Sequence, residues 1–76
     1  MHNMTTSILK DKEIKLQTGK VIGMMKVSFN NNHKFHVYNH DGQLNEYDGK
    51  GSCPLNFNMS AGMTEIEANQ LLDQMK

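Results

Sequence analysis

Three histidines, His33, His36 and His40, stand close together with Asp41 beside the last of them, and imidazole and carboxylate are donor types that zinc takes. Spacing decides whether they can act together. The segment alternates polar and apolar side chains as a strand does, so His33 and His36 face opposite ways. His36 and His40 share a face but lie four residues apart, about 13 Å at the usual strand rise. One tetrahedral ion with bonds of about 2 Å cannot span that distance. These are read as strand histidines, and neither a metal nor any other cofactor is expected.

The other reactive types fare no better. Cys53 is a potential nucleophile, but a thiol needs a positioned base, an orienting group and an oxyanion site, and no motif places them. It reads as a small side chain at the start of a strand. Gly49-Lys50-Gly51-Ser52 lacks the glycine spacing of a phosphate loop and runs into Pro54 and a strand, so no helix N-terminus faces a phosphate there. Glu65 and Glu67 fall in the first turn of a predicted helix, where carboxylates complement the helix dipole without acid–base chemistry. No catalytic residue is assigned, and the protein is expected not to be an enzyme.

Size and charge narrow the classes further. A chain of 76 residues with 37% hydrophobic and 21% charged residues is expected to form a single small α+β domain, 1–76, with residues 1–7 frayed. A domain this short buries only about 60% of its unfolded surface and has little room for an enclosed active site. The N-terminal stretch has no apolar signal region, no run reaches the length of a membrane span, and a single cysteine forms no internal disulfide. A cytoplasmic location is the expectation. Up to Lys34 six lysines oppose two acids, and from Phe35 onward two lysines oppose six acids, so a chain of zero net charge is polarised along its length. Arginine is absent, which removes the bidentate contacts that dominate specific duplex reading.

The elements follow from hydrophobic period. Glu13 to Gln17 alternates as a half-buried strand, and Thr18-Gly19 ends it. Val21, Gly23, Met25, Val27 and Phe29 share one face of a second strand. Asn30-Asn31-Asn32 reverses the chain, since asparagine tolerates left-handed backbone angles. Phe35 and Val37 then face one way and Lys34, His36, Tyr38 and His40 the other. Asp41-Gly42 predicts a two-residue hairpin that pairs His40 with Gln43, Tyr38 with Asn45 and His36 with Tyr47. Leu55, Phe57 and Met59 read as a short fifth strand. Thr64 and Glu67 form a capping-box pattern ahead of Ile66, Ala68, Leu71, Leu72 and Met75, which share a helical face from about Glu65 to Met75.

The expected architecture is therefore a small antiparallel sheet of four to five strands with one C-terminal helix on its apolar face. The predicted core is Ile14, Leu16, Met25, Val27, Phe29, Phe35, Val37, Leu55, Phe57, Ile66, Leu71, Leu72 and Met75. With Phe35 and Val37 turned inward, Lys34, His36, Tyr38, His40 and Tyr47 are expected to form an outward contact surface of amphipathic rings. The functional expectation is a protein-binding module, such as a small inhibitor or adaptor of the phage or mobile-element kind, anti-defence proteins included, that blocks a partner by covering it. Single-stranded nucleic acid, stacked on tyrosine and histidine with lysines on phosphates, is the alternative partner. No membrane partner is expected, and an exposed first strand leaves a homodimer through that edge as a further option. The histidine spacing carries a test: EDTA should leave the melting temperature unchanged, whereas a large drop restored by zinc would refute the strand reading.

Overall fold

In the computed structural model, which describes residues 4–42 and 54–76, four strands and one helix follow in chain order: β1 (Met4–Lys15), β2 (Lys20–Phe29), β3 (Asn32–Asp41), β4 (Asn58–Met59) and α1 (Glu65–Met75). The strands pair antiparallel with their neighbours in that order. α1 packs against β2 and β3. The α+β class and the C-terminal helix are as the sequence predicts. No helix among the described residues is long and apolar enough to cross a membrane.

The turn between β2 and β3 sets the faces of the sheet. Asn30 and Asn31 both have positive φ, 48° and 66°, as a two-residue type I′ turn requires. Phe29 therefore pairs with Asn32, Val27 with Lys34, Met25 with His36 and Gly23 with Tyr38. Directly paired residues share a face. Met25, Val27 and Phe29 consequently lie on the face away from Phe35 and Val37, a correction to the predicted core. One residue of register exchanges the two faces of a strand.

The helix-side face holds the main core. Ile22, Met24 and Val37 are buried against Ala68 and Leu72, with Leu9, Ile14, Leu16, Phe35, Met63, Leu71 and Met75 around them. Three predicted core residues, Phe29, Leu55 and Ile66, are exposed. Ile66 lies beside Thr64 and Glu67 in the first turn, while the sheet is met through Ala68 and Leu72 farther along. The far face has a smaller core of its own in Val21, Met25 and Tyr38, all buried. This sheet is covered on both sides over part of its length.

The ends of the chain differ from expectation. Met4 to Ser7, expected to fray, pair with Phe29 to Lys26, so the first strand begins nine residues before the predicted Glu13. Period two is weak there because Met4 to Ser7 are exposed on both faces. The predicted hairpin at Asp41-Gly42 fails for a different reason. Asp41 N–H donates to Leu55 O, Ser60 N–H to Val37 O, and Phe35 and Met63 exchange two backbone bonds. With β2 along its other side, β3 has no edge left for residues 43–47, which themselves lie outside the described residues. The predicted fifth strand, Leu55 to Met59, shortens to β4, since Asn56 takes a φ of 54° that breaks the extended run.

α1 starts at a complete capping box. Glu67 N–H donates to Thr64 Oγ1 at 3.2 Å, and Thr64 N–H donates to Glu67 Oε1 at 3.1 Å. The bonds from the Thr64 backbone and side chain hold the Glu67 carboxyl below its ordinary value of 4.5, against a smaller upward push from burial. A depressed folded value means that the cap stabilises the fold fully above pH 4.5 and is lost as the pH falls through the folded value. Urea unfolding midpoints should thus fall less on acidification in Glu67→Gln than in the parent. Thr64→Ala should cost about 1 kcal/mol, and Leu72→Ala about 2 to 5 kcal/mol.

Candidate functional site

The five residues expected to form one contact surface separate in the structure. All four described members, Lys34, His36, Tyr38 and His40, do lie on the far face, as alternation requires. Only Lys34 is exposed and His36 half-buried, while Tyr38 and His40 are wholly buried. Tyr47 lies outside the described residues. The expectation of an exposed tyrosine–histidine face is therefore corrected, because alternation assigns a side chain to a face but does not say whether that face is covered.

Tyr38 is covered by a fit between strands. It lies opposite Gly23, and a Cβ on Gly23 would come within 2.5 Å of Tyr38 Cζ and Oη. Glycine is what lets the ring lie flat on the sheet. Above that point β1 departs from its ladder: Leu9 pairs with Met24 and Ile14 with Ile22, so four residues, Lys10 to Glu13, arch over the one position of Gly23. The arch brings Glu13 inward, and Tyr38 Oη donates to Glu13 Oε2 at 2.5 Å. Lys10 Nζ meets the other carboxylate oxygen at 3.4 Å.

Phe57 closes the group. Its ring stacks on Tyr38 at 5.7 Å and on His40 at 6.1 Å between centroids, and Tyr38 and His40 stack on each other at 6.0 Å. His40 Nδ1 donates to Asp41 O at 2.8 Å. Nε2 is buried with no hydrogen-bond partner among the described residues. The cluster is a packed interior. Phe57 was placed in the predicted core, but nothing in strand alternation pairs it with tyrosine and histidine.

Beyond His36 the far face forms a recess among the described residues. Val27, Phe29, Asn32, His33, Lys34 and His36 line a recess of about 510 Å³ at the turn end of β2 and β3. His36 is held from the β4 side, where its Nδ1 donates to Ser60 O at 2.9 Å. Ser60 also receives Val37 N–H on its hydroxyl at 2.9 Å, which keeps the β4 segment against β3. The stem of Lys34 lies on Gly62, where a Cβ would come within 2.8 Å of Lys34 Cδ. Phe29 is 38% exposed.

The histidines thus serve three separate neighbourhoods: His33 shares a hydrogen bond with Ser28 at 2.6 Å, His36 binds Ser60 and His40 binds Asp41. Among the described residues no three His, Cys, Asp or Glu side chains converge on one point. The arrangement offers shape, one ammonium and two imidazoles around an apolar floor. Alternation points to Lys34 and His36 but assigns Val27 and Phe29 to the core. The two-residue turn was the available signal, since pairing Phe29 with Asn32 already places Val27 beside Lys34.

The Tyr38–Gly23 fit makes a quantitative prediction. Gly23→Ala should cost about 1 to 3 kcal/mol through overpacking, and the cost should largely vanish in a Tyr38→Ala background, where the ring is gone. Tyr38→Phe should keep the packing and lose about 1 kcal/mol with the Glu13 bond. Equal costs of Gly23→Ala in both backgrounds, measured by urea unfolding, would contradict the fit.

No family model, curated protein or solved structure matches this chain, so the recess and the buried aromatic cluster are assigned from its own geometry alone.

Proposed function

We propose that this protein is a non-enzymatic binding module that docks on another protein through the open half of its far face, with Val27 and Phe29 as the apolar floor and Lys34 and His36 at the rim. One observation carries the reading: a recess of about 510 Å³ sits on the two best-paired strands and next to a tight turn. A surface of that kind is ordered before binding, which lowers the entropic cost of association. Apolar floor and polar rim match the anatomy of protein interfaces. Blocking by coverage, as a small phage or mobile-element inhibitor or adaptor would act, suits a domain of this size.

Single-stranded nucleic acid is the second reading, favoured by one specific observation. From Lys20 to His40 the chain carries Lys20, Lys26 and Lys34 and no carboxylate, and of these Lys34 shares the far face with Phe29, which is partly exposed. Zero net charge and the lack of arginine weigh toward protein.

Affinity capture from host lysate, with mass spectrometry and sequencing of retained nucleic acid, separates the two. Val27→Glu with Lys34→Glu should fold, by circular dichroism, and weaken a protein partner about thirtyfold or more, the scale of a lost interface anchor. Retention of oligonucleotide with a steep salt dependence, reduced by Lys34→Gln, would favour the second reading. A folded Val27→Glu, Lys34→Glu variant with unchanged partner binding would place the surface elsewhere.

A further inference from the structure

We propose that β1 pairs with β1 of a second copy, antiparallel and centred on Thr6, to give a two-fold dimer with one continuous eight-stranded sheet. This inference rests on the edge of the sheet and is independent of the recess. β1 is the first strand in the order, and among the described residues no strand pairs with the outer edge of Met4 to Leu9. The hydrogen-bonding parity of that edge follows from bonds elsewhere. Phe35, Val37 and Asp41 point their N–H groups toward the β4 side, so the even residues of β3 bond β2. Their partners in β2 are Gly23, Met25 and Val27, which leaves Met24, Lys26 and Ser28 to bond β1 through Leu9, Ser7 and Thr5. Met4, Thr6 and Ile8 therefore present their N–H and C=O groups outward.

A symmetric antiparallel pair keeps the same face of each copy on the same side, so residues of equal parity must meet. Centring on Thr6 satisfies this with the outward groups alone. Met4 exchanges two bonds with Ile8 of the second copy, Thr6 two with its counterpart, and Ile8 two with Met4 of the second copy. Shifting the centre to Ser7 would require Lys10, where the arch over Gly23 begins. The register is thereby limited by the structure.

The side chains agree with this pairing. Met4 to Leu9 contain no charge, proline or glycine, and so lack the devices that protect edges, whereas Lys10 to Lys15 carry an arch and five charged residues. No like charges oppose one another across the proposed seam. Met4, 65% exposed, would meet Ile8 of the second copy on the far face, and Thr5 would meet Ser7 on the helix-side face. Each helix lies over β2 and β3, roughly 19 Å from its mate at about 4.8 Å per strand, so the helices do not collide. Five residues per copy bury less than the ~800 Å² per partner of a standard interface. The dimer is accordingly weak, with a dissociation constant of roughly tens to hundreds of micromolar.

Sedimentation equilibrium of the full chain over a concentration series tests this. The parent should show a monomer–dimer equilibrium. Thr6→Pro removes an outward donor and no bond to β2, so it should remain folded by circular dichroism and weaken the dimer about tenfold or more, the effect of two lost hydrogen bonds. Thr6→Lys, which sets like charges face to face, provides the same test should proline disturb the strand. In a Cys53→Ser background, Thr6→Cys should cross-link on oxidation, because paired Cα atoms lie about 5.5 Å apart. Ser7→Cys, displaced by two residues from its counterpart, should not. A parent that is monomeric throughout, a folded Thr6→Pro or Thr6→Lys variant that still dimerises fully, or cross-linking through Ser7→Cys in place of Thr6→Cys would each overturn the proposal.

Discussion

The turn at Asn30 and Asn31 is the constraint on which the rest of this structure depends. Two successive residues with positive φ close a hairpin of minimum length, and that closure makes every odd residue of β2 the partner of an even residue of β3. From it follow the division of the sheet into two faces, the meeting of Gly23 with Tyr38, and the parity of backbone groups out to the edge of β1. A turn one residue longer would exchange the sides. Met24 would then share a face with His36, or Val27 with Val37, and the helix could not meet Met24 and Val37 together.

The second dependence is that the sheet is covered unevenly. α1 covers the helix-side face through Ala68 and Leu72, and among the described residues Phe57 and the β1 arch cover part of the far face. Tyr38 stands at the junction, on a glycine, under a carboxylate and against two other rings. The buried polar groups of this region are satisfied unequally. Tyr38 Oη has Glu13, while His40 Nε2 has no partner among the described residues. Where this covering stops, at His36, the open recess begins.

Much of the architecture could be read from period and punctuation. The helix was legible because its apolar spacing and its Thr64–Glu67 cap report the same start. The pairing of β2 with β3 was legible from asparagines placed between two alternating runs. The beginning of β1 was not, because Met4 to Ser7 are exposed on both faces and so carry no alternation. The outer neighbour of β3 was misassigned for another reason. Asp41-Gly42 is a good hairpin dipeptide, but the competing partner, residues 55 to 63, is distant in sequence and joins β3 through backbone bonds that no side-chain pattern announces.

For the candidate site the division is sharper. The sequence by itself determined that Lys34, His36, Tyr38 and His40 share a face, since side chains alternate along any strand. It also determined that no three metal-binding side chains of β3 can converge, since four strand residues span about 13 Å. Only the tertiary structure decided which part of that face is buried. Covering is done by Phe57 and Glu13, which reach Tyr38 from 19 and 25 positions away along the chain, and a contact at that separation depends on how the whole chain closes and not on any local period.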